Sequence, residues 1–360
     1  MNLFVAAALF SFFEYTQNPK PKYLLSLFIC AGLGFFTKGP IAFLIIFGVI
    51  FLFIFFTKKF KILLELLKPK HIIWCFLIPL PWFYLAYRQS GDFLFSDFLI
   101  KHNLGRFTQT MESHGGHIWY YLPVLFLSFL PFSHLIFKAL KNFNFKERNL
   151  FLLLWFLLPL VFFSFSKTQL PHYISVGYVP LILLLAQQKQ LGGRAIFWQI
   201  CLLILLFITA KYIVVYINID DVFVLEMLKN IKVVFNLNYT ILELSFLLFL
   251  IIIYFFFHEK LTAYCMILVL ATNIFIYKFA VLQQGFVKEL GLKLKGNNTK
   301  IQMADHYNPS LSFYADRVFK IANGAQKNAL IFKKTSRNLD KNQSIILNKN
   351  GYVIIRNSSP

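Results

Sequence analysis

Long apolar runs broken by short polar stretches fill the chain from Asn2 to about residue 282. A membrane-spanning helix needs about 20 mostly apolar residues. On that template about ten spans are predicted, over residues 2–15, 23–37, 41–57, 71–87, 118–140, 150–166, 173–187, 195–217, 241–257 and 261–282. Only Lys38-Gly39-Pro40 separates the second from the third. This predicts a tight helical hairpin with Pro40 in the first turn of the next helix, where its missing N–H costs nothing. Beyond residue 283 the pattern turns polar and basic, and the runs 329–332, 344–347 and 352–356 read as strands. Asn350-Gly351 is a hairpin signal between the last two, and Asn308-Pro309-Ser310 breaks the chain ahead of Leu311. The expected fold is therefore an all-α polytopic membrane domain over 1–285, followed by a small soluble α/β domain over 286–360.

Charge gives the spans a direction. Lysine and arginine collect at 20–22, 58–70, 138–148, 189–194 and 260, which are alternate loops. The positive-inside rule places those five on the cytoplasmic side. The segments 38–40, 88–117, 167–172 and 218–240 and the C-terminal domain then fall outside. Met1 would also lie outside, with no charged n-region or small-residue cleavage site after it. The expectation is that an odd number of helices precedes it. The net charge of +21 does not point to nucleic acid, because much of it sits in short loops that orient helices. Cys30, Cys75, Cys201 and Cys265 lie in apolar runs without CxxC spacing and read as small buried hydrophobes.

Against a mean hydropathy of +0.64, a few polar residues stand out. A charge at mid-span costs roughly 2.5–3.5 kcal/mol on the lenient insertion scale. Lys38, Arg106, Lys167 and His172 avoid that cost by lying at helix ends or in loops on one predicted face. Cations gathered there suit an anion such as a lipid-linked phosphate. Lysine would act as a flexible point charge and Arg106 as a bidentate clamp. Each has a plainer reading: a snorkelling interfacial lysine, an exposed loop cation, or an ordinary connector that starts a helix at Pro171. His102, His114 and His117, with Glu112, could hold zinc, although their spacing is not diagnostic. No Walker loop, GxSxG or HExxH is present, and Glu243 is the clearest intramembrane acid.

Three stretches occur in order: Gly34-Phe35-Phe36-Thr37-Lys38-Gly39-Pro40; His102-Asn103-Leu104-Gly105-Arg106-Phe107 with His114 and Trp119-Tyr120-Tyr121-Leu122-Pro123; and Ser166-Lys167-Thr168-Gln169-Leu170-Pro171-His172-Tyr173. With Tyr307-Asn308-Pro309-Ser310-Leu311-Ser312-Phe313-Tyr314, they resemble the aminoarabinose transferase branch of the protein-mannosyltransferase-like glycosyltransferases. The resemblance implies a GT-C type enzyme of the bacterial inner membrane. Such an enzyme moves a sugar from a polyprenyl-phosphate donor to lipid A, glycan or protein on the outer face. It implies donor-phosphate binding by Lys38, Arg106, Lys167 and Tyr173, and metal binding by His102 and His114. The family carries its acidic catalytic residues after its first helix, and nothing here corresponds. The resemblance thus implies a chain entering about three helices late, with its catalytic acids on an upstream segment or a separate N-terminal fragment and transfer activity in doubt without them. A non-catalytic polyprenyl-phosphate-binding protein and a glycan polymerase or flippase are the competing readings.

Overall fold

The computed structural model describes residues 1–91, 116–188, 192–216, 221–256, 260–297, 301–303, 308–321, 330–334, 343–349 and 351–357. The chain divides into two compact units, Met1–Gly192 and Gly193–Pro360.

The first unit is helical. Helices α1 (Asn2–Gln17), α2 (Pro21–Lys38) and α3 (Pro40–Thr57) run head to tail, and α2 and α3 form the expected hairpin. Gly39 makes the reversal with φ 75° and ψ −154°, backbone that a side chain would strain, and its N–H closes α2 on Phe35 O at 2.7 Å. Small residues then let helices approach. A Cβ on Gly32 would lie 2.9 Å from Trp74 O, and one on Gly34 would lie 3.2 Å from Ala42 Cβ. Such contacts are how helices associate where lipid removes the hydrophobic drive.

The short helices α4 (Phe60–Leu66), α5 (Pro69–Leu77) and α6 (Leu80–Ser90) follow. The span expected over 71–87 is thus interrupted. Pro79 lacks an N–H and its ring opposes the preceding turn, so one helix ends at Leu77 and another begins at Leu80. The span expected over 118–140 is likewise two helices, α7 (Tyr121–Ser128) and α8 (His134–Lys141), with the cis Leu130–Pro131 bond between them. Helix α9 (Glu147–Ser164) is continuous despite Pro159. The span expected over 173–187 opens as a 3₁₀ helix, Pro171–Gly177, before α10 (Tyr178–Ala186). The core of this unit is aromatic: Trp155, Phe12, Phe53 and Phe151 are all at most 1% exposed, with Phe53 and Phe151 edge to face at 5.3 Å.

The second unit holds α11 (Gly193–Ile213), α12 (Val222–Leu228), α13 (Ile231–Val234), α14 (Leu237–Phe256) and α15 (Lys260–Leu294). Helix α15 runs unbroken across residue 285, where the sequence pattern drew its domain boundary. Its last turns pack Phe286, Val287, Leu290 and Leu294 against a four-stranded sheet of order β1-β2-β4-β3. The strands are β1 (Ile301–Met303), β2 (Leu330–Lys334), β3 (Gln343–Lys349) and β4 (Tyr352–Asn357). β3 and β4 pair antiparallel across Gly351, whose φ of 78° fits the predicted hairpin turn. Asn308 caps α16 (Pro309–Ala315), its side chain accepting from Leu311 N at 3.0 Å, so the predicted break is a helix start.

Among the described residues five helices are long and apolar enough to cross a membrane: Pro40–Thr57, Glu147–Ser164, Gly193–Ile213, Leu237–Phe256 and Leu261–Leu294. With the shorter apolar helices they make the polytopic α-helical protein that the sequence predicts, carrying a small C-terminal sheet.

Candidate functional site

The site lies in the first unit, where two of the sequence motifs meet. Lys38 is the last residue of α2, exposed at the turn into α3. Thr37 Oγ1 donates to Gly34 O at 2.8 Å, which ties off the final turn. The Lys38 ammonium lies over the Tyr173 ring, 5.5 Å from its centroid. Tyr173 is 8% exposed and is braced behind by Phe163 at 5.1 Å. Its backbone N–H donates to Leu170 O at 3.0 Å, and that carbonyl also accepts from Tyr121 Oη at 3.2 Å. One residue of each motif is therefore fixed against the other across about 130 positions of sequence. A cation held over an aromatic face gains about 0.5–1 kcal/mol at an exposed site.

The segment 164–173 is the scaffold. Ser166 Oγ donates to Thr168 O at 2.9 Å. Gln169 Nε2 donates to Ser164 O at 3.0 Å and reaches Phe163 O at 3.5 Å, satisfying carbonyls that the end of α9 leaves over. Lys167 and His172 then stand exposed on a folded loop. At the other end Ser175 Oγ donates to His172 O at 2.7 Å and accepts from Asn2 Nδ2 at 2.9 Å, which fastens the start of α1 to the same place.

Gln169 is the residue that sequence reasoning passed over. It is 3% exposed, and its Oε1 is buried without a hydrogen-bond partner. Since Nε2 is committed to the α9 carbonyls, the amide cannot turn to relieve it. The oxygen faces Gly116, where a Cβ would collide with it. The acceptor is thus sealed inside the connector, where leaving it unmet costs stability. No spacing rule marks a lone glutamine in a connector.

Of the residues predicted for the donor phosphate, Lys38 and Tyr173 come into contact, and Lys167 occupies the same loop as Tyr173. Arg106, His102, His114 and Glu112 lie outside the described residues. Among the described residues no group of three or more His, Cys, Asp or Glu side chains is placed to hold a metal. The four cysteines are free, and only Cys75 is fully buried.

The fold is that of a polytopic helical protein whose first unit brings Lys38 onto the Tyr173 ring, with Lys167 exposed on the connector leading to it. Residues 1–84 match the family model described as dolichyl-phosphate-mannose-protein mannosyltransferase. A 195-residue stretch, 52% of the chain, is 35% identical to the undecaprenyl phosphate-alpha-4-amino-4-deoxy-L-arabinose arabinosyl transferase of Erwinia tasmaniensis. It is 33% identical to the protein of the same description from Yersinia pestis. The matched stretch spans 35% of the length of these relatives. The fold is similar to that of ArnT from Cupriavidus metallidurans bound to undecaprenyl phosphate, with a TM-score of 0.67 and 16% identity over 94% of this chain and 70% of that one. The apo form of that protein gives 0.63 over 99% and 74%. These likenesses agree with the aminoarabinose transferase resemblance carried by the motifs.

Proposed function

We propose that this chain is a member of the polyprenyl-phosphate-dependent glycosyltransferases and binds the phosphate of a lipid-linked sugar at Lys38, Lys167 and Tyr173, with Arg106 completing the clamp. The sugar would pass to lipid A, glycan or protein on the outer face of the cytoplasmic membrane. The observation that carries this reading is the Lys38–Tyr173 contact. Two motifs that share a family only in combination meet in one place, and the place is cationic. The ammonium groups act on the departing phosphate, neutralising charge that grows as the glycosidic bond breaks. His102 and His114 would hold a zinc ion through their imidazole nitrogens.

The test uses membranes carrying the chain, incubated with a radiolabelled polyprenyl-phosphate sugar. The expected result is label retained by the membranes, reduced at least tenfold in Lys38→Ala, and passing to lipid or glycan when a segment carrying the family's acidic residues is co-expressed. Lys38-dependent retention with no transfer even then would favour the non-catalytic binding protein instead. Orientation is read separately. A thiol reagent confined to the outside should label Lys167→Cys and spare Glu65→Cys.

A further inference from the structure

We propose a second lipid site, away from Lys38: the groove between α2, α3, α4 and α5 binds an anionic glycerophospholipid from the leaflet on the Lys58–Lys70 side. The cavity measures about 370 Å³, at the small end of the roughly 300–1,000 Å³ usual for ligand pockets. Its walls are carbon: Phe47, Ile50 and Phe51 of α3, Leu63 and Leu66 of α4, and Ile72 of α5 are representative. The single polar atom type on its lining, the Cys75 thiol, is turned to Phe28 O at 3.6 Å. A soluble phosphate finds no donor inside this groove, whereas an acyl chain does find matching surface.

The rim supplies the rest of the recognition. Residues 58–70 hold five lysines and one acid, Glu65. Lys59 is taken by Glu147 and Lys68 by Glu65, each at 2.6 Å. Lys58, Lys61 and Lys70 are exposed and have no carboxylate within ion-pair distance among the described residues. Lys61 shares its short helix with the lining residues Leu63 and Leu66, and Lys70 stands in the first turn of the helix that supplies Ile72 and Cys75, so the cations belong to the same end of the bundle as the apolar slot. Between them Phe60 and Leu64 of α4, and Leu67 just past its end, are turned outward at 53%, 68% and 58% exposure. An apolar surface of this kind suits the acyl region of a bilayer. Amphipathic segments of this composition lie in the headgroup boundary, and each lysine near an anionic headgroup strengthens binding about fivefold. The cations that orient the helices would thus also select the lipid.

The purified full chain, in mild detergent, is titrated with phosphatidylglycerol and with phosphatidylcholine of the same acyl chains and read by native mass spectrometry. At least a tenfold preference for phosphatidylglycerol is expected. The triple variant Lys58→Gln, Lys61→Gln, Lys70→Gln should lose that preference, and the corresponding arginine triple should keep it. A phosphatidylglycerol with a photoreactive acyl chain should label the peptide 60–76. Equal affinity for the two lipids, an unchanged glutamine triple, or labelling of that peptide by a polyprenyl-phosphate probe instead would overturn the proposal.

Discussion

The two units use their spanning helices differently. In the first, Pro40–Thr57 and Glu147–Ser164 have 39% and 44% of their residues buried within the protein; in the second, the three long spans reach only 28%, 22% and 17%. Composition does not explain this, since mean hydropathy is 2.8 and 1.5 in the first pair and 2.1 to 2.3 in the others. Small residues at the crossings are one cause. Ala31, Gly32, Gly34 and Ala42 let the first-unit backbones close on one another, while α14 turns Leu248, Phe249 and Phe255 outward at 54–71% exposure. Lys38, Lys167 and Tyr173, proposed for the donor phosphate, stand on the tightly packed unit. A charge that must meet a phosphate within a fraction of an ångström needs rigid helices beneath it.

The strongest way to break the comparison is to empty the first unit's core. Trp155 is 0% exposed and packs on Phe10 at 5.3 Å and Phe151 at 6.1 Å. Trp155→Ala should cost about 3 kcal/mol or more through lost contacts and the cavity left behind. Unfolding in mixed micelles followed by fluorescence checks this; a loss below about 1 kcal/mol would mean the unit repacks freely.

The site itself should respond on the next scale down. Lys38→Ala and Lys167→Ala each remove a charge-assisted contact worth about 1.5–3 kcal/mol, which is roughly tenfold or more in polyprenyl-phosphate affinity. Isothermal titration of the two folded variants measures it. Unchanged binding in both would take the donor away from this end of the bundle.

Lys211 offers the contrasting cation in the second unit. It is 7% exposed, and its Nζ donates to Phe235 O at 3.0 Å and Thr240 Oγ1 at 2.6 Å. It works as a fastener between α11 and α14. Lys211→Met keeps the stem and orphans the carbonyl, for an expected loss of about 1–2 kcal/mol with no change in donor affinity. A fall in donor affinity in this variant would erase the division of labour between the two lysines.

Much of this was legible beforehand, for physical reasons that differ by element. The α2–α3 hairpin was written in Lys38-Gly39-Pro40, because only glycine takes that backbone and proline fits the next first turn. The β3–β4 hairpin was legible through Asn350-Gly351 for the same kind of reason. Hydropathy alone overestimated continuity over 71–87 and 118–140, because a window average does not register Pro79 or Pro131. Gln169 and Lys211 carried no local signal. The first is defined by the carbonyls at the end of α9 and by Gly116, the second by a loop 24 residues away, Phe235. Pairwise proximity of Lys38 and Tyr173 likewise came from folding, although each motif was conspicuous alone.

The smallest expected effect gives the comparison its baseline. Leu248 lies at the middle of α14 and is 60% exposed, on the outward face of a helix long and apolar enough to cross a membrane. In water such a leucine would be a liability. In a bilayer its side chain exchanges one hydrocarbon contact for another on folding, so truncation removes little. Leu248→Ala should shift stability by no more than about 0.5 kcal/mol, the range of a surface substitution, while Trp155→Ala in the other unit costs several times as much. The same micelle unfolding reads both. If Leu248→Ala instead cost more than about 1.5 kcal/mol, that face would be packed against protein, and the contrast between a tightly buried unit and a lipid-facing one would fail.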